Sequence, residues 1–248
     1  MDFAVVIPAR YDAARLPGKP LADIGGRPMI QWVCQAAAAS GADQVVVATD
    51  DERIVQACAQ FGARAEMTSR THASGTDRIA ELARRFGWAD DRVIVNVQGD
   101  EPLLPPVLIS QVAALLTGDP EAGMATLATP ITEQAEWEDP NVVKVVADRH
   151  GRALYFSRAR IPWPRDGSES TRHAMRHIGL YAYRVRALNA FAAAQPCGLE
   201  LRERLEQLRA LWLGMGIRVA RAVEIPPRGV DTEEDLIAVR RALAQRPG

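Results

Sequence analysis

The sequence predicts an α/β fold: a single-domain, doubly wound, mostly parallel sheet with a smaller antiparallel lobe inserted in it. Three observations carry this expectation. Short, nearly continuous apolar runs alternate with helix-length segments through the first 120 residues. Those segments begin at capping residues and end at glycines. Beyond about residue 120 apolar runs follow one another across turns, without helical crossovers.

Phe3-Ala4-Val5-Val6-Ile7, Val45-Val46-Val47-Ala48-Thr49 and Val93-Ile94-Val95-Asn96-Val97 suit parallel strands covered on both faces. Between the first two, Pro28 fits a helix first turn and Gly41 its C-terminal cap. Asp50 or Asp51 caps the next helix, which Gly62 closes, and Ser74 caps a third that ends near Gly87. Strand, helix, strand in this rhythm gives right-handed crossovers. Residues 125–131, 142–147, 153–156, 177–183 and 217–223 then read as strands, with helices near 187–193 and 199–213. Asp231-Thr232-Glu233-Glu234 caps a final amphipathic helix. Residues 1–248 thus read as one domain, with a first half over 1–120, a lobe over 121–225 and a closing helix over 226–248. The polar, Pro- and Gly-bearing segment 162–173 reads as a mobile loop over a site.

Composition narrows the function classes. Hydrophobic residues at 48% and charged residues at 25% allow a core of good size in a soluble protein. A net charge of −1 provides no field for nucleic acid or an anionic membrane, so neither is an expected partner. Cys34, Cys58 and Cys197 are scattered, without a Cys-x-x-Cys pair, which suits reduced thiols and a cytoplasmic location. No apolar run reaches membrane-spanning length, and no basic leader precedes an apolar run; a protein made without an export signal is expected.

The loop leaving the first strand carries Arg10, Arg15, Gly18 and Lys19 after Pro8-Ala9. Ligands of open α/β sheets bind beyond the carboxyl ends of the strands, and three cations there suit a polyphosphate. A solvated basic loop is the plain alternative. Pro20 after Lys19 excludes a Walker A loop, and Gly-x-Gly-x-x-Gly is absent. Asp100, in Gln98-Gly99-Asp100-Glu101-Pro102 past the third strand, is either a hard-oxygen ligand for Mg²⁺ or a turn-forming aspartate. Asp231, in Gly229-Val230-Asp231-Thr232, reads from the residues alone as an N-cap, with Glu234 completing a capping box. Ser74-Gly75-Thr76-Asp77-Arg78 is a capped helix start whose free N–H groups can read a base, with Arg78 in reach of sugar or phosphate. His173 and His177 lack a third ligand for zinc.

Ile7-Pro8-Ala9-Arg10-Tyr11, Arg15-Leu16-Pro17-Gly18-Lys19-Pro20-Leu21 and Pro28-Met29-Ile30 open a series of blocks that runs nearly end to end. Val47-Ala48-Thr49-Asp50, His72-Ala73-Ser74-Gly75-Thr76-Asp77-Arg78 and Asn96-Val97-Gln98-Gly99-Asp100-Glu101-Pro102 continue it. Ala153-Leu154-Tyr155-Phe156-Ser157-Arg158, Ile161-Pro162-Trp163 and Leu205-Glu206-Gln207-Leu208-Arg209 follow. In this order they resemble the 3-deoxy-manno-octulosonate cytidylyltransferase (CMP-KDO synthetase) family; the first block is shared with other nucleotidyltransferases.

The resemblance implies a nucleotide-diphospho-sugar transferase type of sheet. It also implies transfer of CMP from CTP to 3-deoxy-D-manno-octulosonate, giving CMP-KDO and pyrophosphate for lipopolysaccharide biosynthesis. It makes 1–120 the nucleotide-binding half and 121–225 the acid-sugar and dimerisation lobe of a homodimer. Lys19, Arg15, Asp100 and Asp231 would be catalytic, and the two aspartates would hold Mg²⁺. Pro8, Ala9, Arg10, Arg15, Lys19, Ser74, Gly75, Arg78 and Gln98 would bind the nucleotide. Gln98, Arg158, His177, Tyr181, Glu206 and Gln207 would bind the sugar, with Arg165 as a second cation in the loop. No residue is assigned as general base. The stretch 165–172 is shorter than is usual in the family, Pro164 replaces a common acidic residue, and Ala182 stands where glycine is frequent. The rival readings are another acid sugar, such as sialic acid or an amino-octulosonate, and a non-catalytic nucleotide-binding module.

Overall fold

β1 (Phe3–Ala9) is buried along its whole length, and the alternation of its side chains divides the core in two. Phe3, Val5, Ile7 and Ala9 meet Ile30, Val33, Leu108 and Val112 on one face. Val6 meets Ile79, Leu82 and Leu188 on the other. A strand apolar on both faces needs a helical layer on each, which is the doubly wound arrangement. The computed structural model describes residues 2–12, 16–167 and 170–244.

A short 3₁₀ turn (Lys19–Leu21) leads into a hairpin of β2 (Asp23–Ile24) and β3 (Arg27–Pro28), then α1 (Met29–Ala38). β4 (Gln44–Thr49), α2 (Glu52–Gln60), β5 (Ala65–Met67), α3 (Gly75–Arg85), β6 (Val93–Asn96) and α4 (Pro106–Thr117) complete the alternating half. The caps follow residue chemistry. Asp51 accepts the N–H of Arg53 at the start of α2, and Ser74 and Asp77 form a reciprocal capping box at α3.

The second half contains β7 (Met124–Pro130), α5 (Gln134–Glu138), β8 (Lys144–Ala147), β9 (Ala153–Ser157) and β10 (Met175–Arg184). It ends with α6 (Val185–Ala193), α7 (Gly198–Glu203), α8 (Gln207–Trp212), β11 (Ile217–Arg221) and α9 (Glu233–Ala244). The sheet order is β11-β7-β10-β6-β1-β4-β5, with β8 pairing β10 and β9. β1, β4, β5 and β6 pair in parallel, as do β7 and β11; β10 runs antiparallel between β6 and β7.

Two details differ from the sequence reading. β7, β10 and β11 extend the central sheet, and the lobe reduces to β8 and β9, which join that sheet through β10 but lie off its main strand order. The cause is visible in β7, whose first six residues are buried and so need cover on both faces. The single helix expected over 199–213 is two helices, because Arg204 adopts a left-handed φ of 53° that turns Leu205 into the core.

α9 closes the domain over the segment that follows Lys19. Leu236 and Val239 pack with Ile24, Met29, Leu103 and Val230, and Arg240 Nε donates to the Asp23 carbonyl at 2.9 Å. No helix among the described residues is long and apolar enough to cross a membrane. The three cysteines are buried free thiols.

The lobe is braced by a fully buried lysine. Lys144 Nζ donates to the carbonyls of Asp139 at 3.0 Å, Val142 at 2.6 Å and Arg158 at 2.7 Å, matching its three protons. Burial pulls its pKa down, yet these acceptors hold the ammonium in place. Lys144→Met leaves three carbonyls, the Val142 one buried and the others partly so, without this donor and is expected to destabilise the protein by about 3 kcal/mol. Urea denaturation checks this: an unchanged midpoint would mean that water reaches those carbonyls.

Candidate active site

The carboxyl ends of β1 and β6 and the start of α3 approach one another closely at two glycines. A Cβ at Gly99 would lie 3.0 Å from the Pro8 carbonyl oxygen, and one at Gly75 would lie 3.1 Å from Pro8 Cγ. Pro8, Ala9, Gly75 and Gly99 thus meet at the strand ends, where an open α/β sheet places its ligand. Arg10, the next residue after this floor, donates through Nη2 to the His72 carbonyl at 3.2 Å. Arg15 lies outside the described residues.

Lys19 reaches back across the crevice. Its Nζ donates to Asp100 Oδ2 at 2.6 Å, to the Val230 carbonyl at 2.8 Å and to Asp231 Oδ1 at 3.4 Å. The backbone joins the same knot, since the Val230 N–H donates to the Asp100 carbonyl at 2.8 Å. A Cβ at Gly229 would sit 3.3 Å from that carbonyl oxygen, so glycine lets the two segments approach. Asp231 is not the N-cap of α9, which corrects that sequence reading. Thr232 Oγ1 accepts the Asp235 N–H at 3.2 Å, and Asp235 Oδ2 accepts the Thr232 N–H at 2.8 Å. The capping box is one residue later than expected, which releases the Asp231 carboxylate to face Lys19. Burial, with Asp100 adjacent, pushes Glu101 up to about 7.

Two cavities share a wall beyond the strand ends, and the larger one reaches this knot. One, of about 270 Å³, is lined by Gly75, Thr76, Asn96, Gln98, Tyr183 and Glu206 among others. The Gln98 amide donates to Asn96 Oδ1 at 3.3 Å, and Thr76 Oγ1 donates to Glu206 Oε2 at 3.0 Å. Burial raises the pKa of Glu206. The other, of about 760 Å³, is walled by Glu101, Asp139, Arg176, His177, Arg228 and Asp231 among others. Tyr181, Leu205 and Gln207 line both.

His177 and Tyr181 come together through a break in register of β10 between Ile178 and Tyr181, and their ring centroids lie 5.2 Å apart. Thr126 Oγ1 is 3.0 Å from His177 Nε2, 3.0 Å from the Ile178 carbonyl oxygen and 2.8 Å from that of Leu180. A hydroxyl has one proton and carbonyls only accept, so Thr126 donates to a carbonyl and accepts from Nε2–H. Nδ1 is left as the acceptor. Burial brings the imidazole pKa down to about 3, which keeps it neutral. Tyr181 Oη is buried without a hydrogen-bond partner among the described residues, and burial also raises its pKa.

Three cations assigned from the sequence are placed differently. Arg78 is buried, with Nη1 on Thr68 Oγ1 and the Ser69 carbonyl and Nη2 on Asp50 Oδ2; it braces β4 against the 68–69 segment and is closed to a ligand. Arg158 donates to the carbonyls of Glu203, Pro140 and Arg204 and does not line either cavity. Arg165 is exposed and also off both walls. Arg176 and Arg228, to which sequence reasoning gave no role, are the cations on the larger wall. Position was their only signal: Arg176 precedes His177, and Arg228 stands three residues before Asp231.

Fold and site together define a nucleotidyltransferase. The family described as Cytidylyltransferase matches residues 4–217. A 3-deoxy-manno-octulosonate cytidylyltransferase from Pseudomonas fluorescens is 58% identical, covering 97% of this chain and 98% of its own. One from Vibrio vulnificus is 55% identical over 99% and 100%. The structure of CMP:2-keto-3-deoxy-manno-octonic acid synthetase complexed with CTP superposes with a TM-score of 0.91 at 42% identity, covering 98% of this chain and 99% of that one. The chain belongs to the 3-deoxy-manno-octulosonate cytidylyltransferase family.

The neutral His177 makes stability depend on pH. Between about 3 and the ordinary 6.5 the unfolded chain binds a proton at this ring and the folded chain does not, so stability falls as pH falls through that window. The difference between pH 7 and pH 5 is about 2 kcal/mol from this group. His177→Gln is expected to remove that share of the slope. Urea denaturation of both proteins at the two pH values measures it, and identical slopes would rule out a buried neutral imidazole.

Proposed function

We propose that the chain transfers CMP from CTP to 3-deoxy-D-manno-octulosonate with Mg²⁺ as cofactor, acting as a cytoplasmic homodimer in lipopolysaccharide biosynthesis. The convergence of Lys19, Asp100 and Asp231 beside the cleft of His177, Tyr181 and Gln207 carries this reading. Relatives across nearly the whole chain bear the name of that sugar, and the similar solved structure holds CTP.

In the reaction the sugar's anomeric oxygen forms a bond to the α-phosphorus as that atom's bond to the bridging oxygen of pyrophosphate breaks. The hydroxyl proton passes to water. Arg10 and Lys19 hold the triphosphate, and the Gly75 end of α3 offers its free N–H groups to the nucleotide. His177 accepts a sugar hydroxyl at Nδ1, while Tyr181 and Gln207 supply further polar contacts. Catalysis then rests on positioning and on charge placed in advance.

The donor set fits Mg²⁺. Two carboxylates and a carbonyl already converge on one cation, the Lys19 ammonium, and hard oxygens suit this ion. Bound between Asp100 and Asp231, Mg²⁺ would supply positive charge to the triphosphate. Among the described residues no cluster of three His, Cys, Asp or Glu could hold a metal by itself, so substrate phosphates would complete the sphere. Support for the homodimer comes from β9, α7 and α8, which pack together and leave Leu154, Leu201 and Trp212 exposed.

A pyrophosphate-release assay across CTP, UTP and several acid sugars tests the substrate assignment; no turnover with CTP and 3-deoxy-D-manno-octulosonate would overturn it. Asp100→Asn should lower kcat on the order of 10²-fold or more while the protein stays folded. The Lys19 ammonium and a divalent ion compete for the same carboxylates. Lys19→Met should therefore bind Mn²⁺ more tightly than wild type without nucleotide, read by the resonance of free Mn²⁺, while losing most turnover. Weaker or equal Mn²⁺ binding would separate Lys19 from the metal carboxylates.

A further inference from the structure

The larger cleft must admit two anions, yet its walls are acidic. Glu101, Asp139, Asp231, Glu234 and Asp235 all line it, against Arg176 and Arg228. Lys19 is held by the carboxylate pair, and Arg176 Nη1 is paired with Glu136 Oε1 at 2.9 Å. Arg158, expected from the sequence to meet the sugar carboxylate, is held by backbone carbonyls, and Arg165 is off the cleft. Arg228 is different. It is exposed on the wall and makes no hydrogen bond or ion pair with a described residue.

Its backbone is nevertheless well anchored. Pro226 and Pro227 stiffen the approach, and Gly229 and Val230 are zipped to Asp100 by close packing and by the 2.8 Å bond from the Val230 N–H. A guanidinium on a fixed backbone, with its donors open and two planar N–H pairs, suits bidentate capture of an oxyanion. The phosphate end of the crevice already has Arg10 and Lys19, whereas the wall shared with His177 and Gln207 has no other cation open to a ligand among the described residues.

We propose that Arg228 is the specificity residue that receives the carboxylate of the acid sugar in this chain. The inference rests on the cytidylyltransferase reading above. Wild type and Arg228→Ala are compared by pyrophosphate release, varying CTP and 3-deoxy-D-manno-octulosonate separately. Arg228→Ala should raise KM for the sugar by about tenfold or more, as loss of a charge-assisted hydrogen bond does, with a smaller change in kcat and in KM for CTP. Arg228→Lys should recover part of the loss, since a point charge replaces the fork. With the C1 amide of the sugar, Arg228→Ala should add no further penalty.

An unchanged sugar KM in Arg228→Ala overturns the assignment, as does a rise confined to CTP, which would move the contact to the triphosphate. A penalty that persists with the amide also overturns it, because the effect would not be one of carboxylate recognition. Absence of turnover in the wild type sinks the parent reading instead, which separates the two failures.

Discussion

Three distant segments of the chain meet at the ammonium of Lys19, and most of the active-site geometry depends on that meeting. Residue 19 belongs to the turn after the first strand, residue 100 to the turn after β6, and residues 230 and 231 to the approach to the last helix. Two carboxylates this close would repel one another in the ligand-free chain, and burying even part of that charge without a partner is costly. The ammonium removes the repulsion, while the Val230 N–H and the Gly229 contact hold the backbone in register. α9 holds the arrangement from outside, since Val230, Leu236 and Val239 share one cluster with Ile24 and Met29 from the segment after Lys19. The closing helix is therefore part of the site as much as of the fold.

A charge balance follows from this knot. A protein of net charge −1 has no overall field with which to gather anionic substrates, so attraction must be local. The strand-end loops carry Arg10 and Lys19, while the larger cleft offers polar groups and carboxylates. Tyr181 Oη, buried without a partner among the described residues, and a neutral His177 suit hydroxyl recognition by a polyol. Such groups are left unpaired by a substrate that lacks the hydroxyl, which makes them better discriminators than an apolar wall.

The alternation of strands and helices was legible because it is local. β1, β4 and β6 are apolar on both faces, and Asp51 and Ser74 cap the helices that follow, all of which can be read from neighbouring residues. The convergence of Asp100 and Asp231 was not visible from spacing, because it needs the sheet order and the position of the last helix. Arg78 and Arg158 mark the main limit. A motif arginine can serve a ligand or the fold, and only the acceptors around it decide: Asp50, Thr68 and Ser69 in one case, three backbone carbonyls in the other. The Arg204 break in the helix expected over 199–213 was equally hidden, since a left-handed arginine has no sequence signature comparable to glycine.

The one-residue shift of the last capping box shows how small a local difference separates an aspartate that caps a helix from one that pairs with a lysine. Had Asp231 been the cap, its carboxylate would have been engaged by the N–H groups at the start of α9 and drawn away from Lys19. Thr232 caps as well as aspartate does in kind, and Asp235 returns the bond three residues on. The helix thus starts with its first N–H groups engaged by Thr232 and Asp235, without drawing on the Asp231 side chain. The carboxylate one position earlier keeps its place beside the ammonium. Helix capping and cation binding compete for the same residue type, and in this chain a threonine at 232 settles the competition in favour of the site.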